Sequence, residues 1–286
     1  MKELVVVSGK GGTGKTSLTA AFASLAENKV LCDADVDAAD LHLLMTPDIR
    51  MRTKFMGGGI AEIDLSRCVA CGTCRDVCRF DAIREEYVVD HIDCEGCGVC
   101  VAFCPEKAID FPVQVCGEWY ISETRFGPMV HARLGIAEEN SGKLVTLIRQ
   151  EAKKLAEQRS LDLIITDGPP GIGCPVIASI GGASAILIVA EPTVSGLHDM
   201  ERVADLALHF KIPAMLSVNK FDLNPGQAER IENLAREKQI VVLDRIPFDP
   251  VFTKAMIQGQ TIHEYKAESE IGKTVNEIWR KVMSIV

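Results

Sequence analysis

"VVVSGKGGTGKTS" occupies Val5–Ser17, and its reading decides the fold. A β-branched run leads straight into Gly9, Lys10, Gly11, Gly12, Thr13, Gly14, Lys15 and Thr16, which satisfy G-x-x-x-x-G-K-[ST]. A strand, a glycine loop and a helix in that order make a phosphate cradle. Glycines let amide N–H groups curl around phosphate oxygens, and the helix N-terminus adds a favourable field. Lys15 would pair with the β- and γ-phosphates and the Thr16 hydroxyl would reach Mg²⁺, with Ser17 beside them. Working outward, buried-strand candidates are Lys2–Ser8, Lys29–Cys32, Leu161–Thr166, Ala185–Val189, Ala214–Val218 and Ile240–Ile246. Helical stretches Lys15–Glu27, Gly142–Gln158, Gly196–Phe210 and Pro225–Lys238 lie between most of them. This alternation predicts an α/β fold with a mainly parallel, doubly wound sheet.

From about residue 50 to 112 the rhythm breaks, opening on "MGGG" (Met56–Gly59) and closing on "DFP" (Asp110–Pro112). Inside are "CVACGTCRDVC", beginning at Cys68, and "CEGCGVCVAFCP", beginning at Cys94, two copies of C-x2-C-x2-C-x3-C offset by 26 residues. The segment 56–112 therefore reads as a small inserted α+β domain within a discontinuous larger one, 1–55 and 113–286. Beyond it, "EWYIS" and "GPMVHARL" around a polar turn predict a hairpin.

The chain has 286 residues, enough for a sizeable core, and is 47% hydrophobic and 25% charged, as soluble globular proteins are. A net charge of −9 argues against phosphate-backbone binding, so no specific nucleic acid partner is expected. No run of 18 apolar residues predicts a transmembrane helix. Residues 1–8 form a short apolar strand without the basic start of a secretory leader, so a cytoplasmic location is expected. Eleven cysteines in such a chain point to metal or redox chemistry rather than disulfides.

The cysteine repeat resembles the bacterial ferredoxin run, ferredoxin-like in its spacing and in Pro105 after the second copy. In that run the fourth cysteine of each copy ligates the other cluster. The resemblance implies two [4Fe–4S] clusters, one on Cys68, Cys71, Cys74 and Cys104, the other on Cys94, Cys97, Cys100 and Cys78. Zinc is the rival, but zinc sites use cysteines as two pairs, which leaves three-plus-one runs with an awkward remainder. Arg79 stands where the first copy would carry its proline, a departure that removes no ligand. Cys32, Cys116 and Cys174 are left for packing. Cys174 has a second reading, because it lies seven residues beyond Asp167. That offset resembles the subunit-bridging ligand position of the nitrogenase iron protein.

Lys10 carries further information. GKGGTGKT resembles the deviant Walker A loop of the MinD/ParA class of P-loop ATPases, and the likeness extends through residues 1–45 and about 115–286. It implies slow ATP hydrolysis, with Lys10 reaching across an ATP-dependent homodimer, or a heterodimer with a related subunit. "CDADVDAAD" resembles switch I, where Asp33 would hold water on Mg²⁺ and Asp35 or Asp37 would position the attacking water. "IITDGPPG" resembles switch II, delivering Asp167 to the metal and Gly168 beside the γ-phosphate. Asn219 in "VNKFD" matches the class's adenine reader, and "IPFDP", with Pro247 and Asp249, its base-contacting loop. Ile271, Val275, Ile278, Trp279 and Val282 fall at helical spacing. MinD ends in a membrane-targeting helix, but Glu268, Glu270 and Glu277 dilute the positive charge here, so packing on the sheet is expected and membrane association is not. Three functions stay open: an ATP-gated electron carrier docking a redox partner, an iron–sulfur assembly factor, and a positioning ATPase with sensory or structural clusters.

Overall fold

The computed structural model describes residues 1–135 and 141–286, which divide into two compact units. The larger comprises Met1–Arg52, Trp119–Arg133 and Ser141–Val286; the smaller comprises Thr53–Glu118 together with residues 134–135.

The strands, in chain order, are β1 (Lys2–Ser8), β2 (Lys29–Asp33), β3 (Asp48–Gly59), β4 (Glu62–Ile63), β5 (Ile109–Asp110), β6 (Val113–Thr124), β7 (Gly127–Leu134), β8 (Leu163–Pro170), β9 (Ala185–Ala190), β10 (Ala214–Val218) and β11 (Val241–Val242). The main sheet runs β11-β10-β9-β1-β8-β2-β7-β6-β3. From β11 to β7 every neighbouring pair is parallel. Period-2 side-chain alternation makes the sheet two-faced. Leu4 and Val6 of β1 pack with Leu18, Phe22, Ile278 and Val282. Val5 and Val7 pack with Val203, Ala204 and Ile231 on the opposite face. Helices thus cover both faces of the larger unit's sheet, as a doubly wound fold requires. β1 lies between β8 and β9, so the loop after it opens at the carboxyl ends of the central strands, where ligands of such sheets bind.

Several element bounds differ from expectation. The "MGGG" read as a break belongs to β3, a twelve-residue strand. β8 begins at Leu163 and extends to Pro170, and β11 contracts to Val241–Val242, where two residues pair with β10. The expected terminal helix forms over Glu270–Ile285 with Ile271, Val275, Ile278 and Val282 buried, and Trp279 packs against Phe22 in a tilted pair with ring centroids 5.0 Å apart. Among the described residues, no helix is long and apolar enough to cross a membrane.

In the smaller unit β4 and β5 pair antiparallel, and Thr73–Asp76 and Val99–Phe103 are short helices. Its core gathers Ala61, Cys74, Ile83, Val89 and Ile109. The sequence repeat is also a backbone repeat: Ala70 and Gly96, Gly72 and Gly98, and Asp81 and Lys107 all have positive φ, each pair 26 positions apart. Both short helices start from a left-handed glycine, Gly72 or Gly98.

Candidate functional site

The loop after β1 is held open by backbone that only glycine fits. Gly14 has φ 90°, and a Cβ there would lie 2.3 Å from Asn219 Nδ2; one on Gly9 would lie 2.0 Å from Asp199 Cβ. Asn219 Nδ2 donates to the Thr13 carbonyl at 2.7 Å, and Lys220 Nζ to the Gly12 carbonyl at 2.9 Å. The loop is therefore pinned from the end of β10.

One cleft brings together Gly11, Gly12, Thr13, Gly14, Lys15, Thr16, Ser17 and Asp35 with Asn219, Pro247 and Asp249. Its cavity of about 390 Å³ lies within the roughly 300–1,000 Å³ of ordinary ligand sites, room for a nucleotide. Phe248, Phe252 and Met256 add apolar surface beside Asn219, as a base would need. The Thr13 hydroxyl is buried without a hydrogen-bond partner. Such a group costs free energy until something pairs with it, and a phosphate oxygen would.

Lys15 is the charge centre of this cleft. Its Nζ lies 3.0 Å from Asp167 Oδ2 and 3.5 Å from Asp35 Oδ2. Burial alone would lower its pKa, but Asp167, Asp35 and Asp33 together hold it above the ordinary lysine value. Burial pushes the Asp35 carboxyl up to about 6 against the pull of Lys15. Asp33 is fully buried and raised well above the usual range, by burial and then by neighbouring Asp167. It accepts from the backbone N–H groups of Asp35 and Leu41, both at 3.2 Å. Three carboxylates around one lysine are a cation-seeking arrangement. Thr16 Oγ1 donates to Asp167 Oδ2 at 2.7 Å and Thr19 Oγ1 donates to Asp167 Oδ1 at 2.8 Å. Thr16 and Asp167, with Asp33 behind, would hold Mg²⁺, which would offset the carboxylate charge and polarise phosphate oxygens.

Other expected residues fall differently. Asp37 is exposed, so of the two candidates Asp35 is the one in the cleft. Gly168 is buried within β8, where a Cβ would sit 2.8 Å from the Val6 carbonyl oxygen, so strand packing by itself requires glycine there. Gly9 and Lys10 line a small adjoining pocket instead. Lys10 Nζ lies 3.2 Å from Glu191 Oε2, and Lys220 pairs with the other oxygen of the same carboxylate. Glu191, Lys220, Thr19, Phe252 and Met256 were not singled out in the sequence. Only Lys220 had a local signal, its place after Asn219.

The cysteines of the smaller unit line two further cavities. One is bounded by Cys68, Cys71, Cys74 and Cys104, the other by Cys78, Cys94, Cys97 and Cys100, and each is a small cavity of about 20 Å³. Each thus draws three cysteines from one run and one from the other. Their remaining walls are largely apolar, including Ile63, Val69 and Ile109 in the first and Phe80, Ile83 and Phe111 in the second. Among the described residues no three Cys, His, Asp or Glu side chains gather as around a single metal ion. Four thiols lining each cavity are a donor set that an iron–sulfur group could use.

Fold and cleft together define a P-loop nucleotide-binding protein. The chain belongs to the CobQ/CobB/MinD/ParA nucleotide-binding family, whose model matches residues 4–262. An uncharacterized protein of Methanocaldococcus jannaschii is 31% identical over 288 residues, covering 99% of this chain and 97% of its own. The cell division ATPase MinD of Pyrococcus furiosus shares the fold with a TM-score of 0.62 at 18% identity, covering 100% of this chain and 99% of that one. A shorter match, 38% identical over 47 residues, is to the pyruvate synthase subunit PorD of Methanothermobacter marburgensis, covering 16% of this chain and 58% of that subunit.

Proposed function

We propose that this MinD/ParA-type ATPase is an iron–sulfur protein that couples ATP-driven dimerisation to electron transfer or to docking of a redox partner. The observation that carries the reading is the crossed grouping of eight cysteines, three from one run and one from the other, around two cavities. Two [4Fe–4S] clusters of ferredoxin type need that grouping. The short likeness to a pyruvate synthase subunit supports a redox role, and the buried lysine among three aspartates supports ATP and Mg²⁺ in the cleft. In this reading Cys68, Cys71, Cys74 and Cys104 hold one cluster, and Cys94, Cys97, Cys100 and Cys78 the other. The ferredoxin-like domain is 56–112, inserted between the parts of the ATPase domain. Sites closed by four cysteines retain a cluster, which favours electron transfer over delivery of clusters as cargo.

Iron and acid-labile sulfide in anaerobically purified protein test this directly. Two cubanes give about eight iron atoms per chain and a visible charge-transfer band. Stoichiometric zinc in a colourless protein would sink the reading.

A further inference from the structure

The two cysteine cavities are built on one plan, yet they differ in the hydrogen bonds offered to sulfur. The offset of 26 residues pairs Cys71 with Cys97, Cys74 with Cys100 and Cys104 with Cys78. Between Cys71 and Cys74 stands Thr73, and at the matching place stands Val99. The Thr73 hydroxyl oxygen lies 3.4 Å from Cys71 Sγ. Val99, 38% exposed, has no polar side-chain atom to offer Cys97. The Ala108 amide donates to Cys104 Sγ at 3.3 Å, and among the described residues no matching bond reaches Cys78 from Ala82.

In the thiol form Cys71 can donate its proton to Thr73. A sulfur bound to iron has lost that proton, so the hydroxyl hydrogen is the one left in the pair and Thr73 becomes the donor. Both bonds then direct a proton toward sulfur in the same cavity. Donors aimed at a charged group stabilise it, and reduction adds negative charge. The charge lining the two cavities is the same. One carboxylate lines each, Glu106 in the first and Glu95 in the second. Cys71 and Cys97 are both exposed, and Cys78 and Cys104 both half-buried. Cys74 and Cys100 are both largely covered, so burial does not set one cavity clearly apart from the other.

We infer that Thr73, with the Ala108 amide, makes the Cys68–Cys71–Cys74–Cys104 set the resting place of an electron and leaves the Cys78–Cys94–Cys97–Cys100 set at lower potential. The inference rests on the iron–sulfur reading proposed above. Each step is the gain of one electron from a one-electron donor; no bond is made or broken and no proton moves. Thr73 is here a tuning residue and not a ligand.

The experiment is a dithionite titration of the anaerobic holoprotein, followed by electron paramagnetic resonance. Wild type should give two separate one-electron waves. Thr73→Val should lower the upper wave alone, by about tenfold in the reduced-to-oxidised ratio at fixed potential, or about 59 mV for one electron. Thr73→Ser keeps the hydroxyl and should hold the wild-type position. Val99→Thr, which leaves the first cavity untouched, should raise the lower wave. Coincident wild-type waves, a Thr73→Val change in neither wave or in the lower one, or a Thr73→Ser shift as large as the Val shift would each overturn the assignment. Iron analysis precedes the titration, and iron-free wild type would overturn the cluster reading itself.

Discussion

Lys10 and Lys15 sit five residues apart on one loop and are held very differently. The Lys15 side chain is 6% exposed and faces Asp35 and Asp167. Lys10 is 34% exposed, and its partner Glu191 keeps Lys220 if Lys10 leaves. Glu191, 14% exposed, therefore stays paired, so turning Lys10 toward a second subunit leaves no buried carboxylate alone. Lys15→Ala should abolish nucleotide binding in calorimetry, since it removes the buried cation and leaves three carboxylates facing the phosphates. Lys10→Ala should spare binding but lose ATP-dependent dimerisation and turnover, read by sedimentation and phosphate release. Wild-type turnover in both variants would mean that the loop is not catalytic. The loop was legible because its chemistry is contiguous from Gly9 to Thr16. Glu191 and Lys220 were not, because their meaning comes from strands that meet the loop only in three dimensions.

At the scale of elements, the long periodic segments could be read and the short paired ones could not. Helix Pro225–Glu237 starts where Asn224 accepts from the Gln227 amide and Pro225 fills the first turn, so its start was written locally. β11 depends on the edge of β10 for its two pairs, and nothing in Ile240–Ile246 marks where pairing ends. β3 is hidden in the sequence because its three glycines look like a turn. There, Gly57 and Gly59 leave space filled by the rings of Phe55 and Phe111, which a Cβ would meet at 2.2 and 2.6 Å. The terminal helix supplies a quantitative test. Ile278 is fully buried with Phe22 and Val282 in the core beneath the sheet. Ile278→Ala should therefore destabilise the fold by about 2–5 kcal/mol. Urea denaturation followed by circular dichroism would show it as a lower midpoint with little change in slope. A loss under 1 kcal/mol would mean that the helix does not close the core.

For the whole molecule, the central question is whether nucleotide and electrons communicate. β3 and β6 carry the chain between the two units, and both lie in sequence between Asp35 and Asp167. Covalent continuity of this kind permits coupling without specifying its size. Binding linkage is reciprocal, so if ATP favours one redox state, reduction must change ATP affinity by the same factor. A coupling of about 1–3 kcal/mol would appear as a roughly 5–150-fold difference in affinity between oxidised and dithionite-reduced protein. Equal affinities would make the cysteine-rich unit a docking module or staple. The arrangement of the remaining cysteines bears on how such an experiment could be followed. Cys116 is enclosed, and burial pushes the Cys32 thiol far up, leaving little thiolate to react. Cys174 is exposed at the start of helix Cys174–Ile180, soon after Asp167. If the eight cysteines of the smaller unit hold iron as proposed, an alkylating fluorophore would find a single address among the described residues. The native chain already carries the attachment point for a reporter on its nucleotide-binding unit.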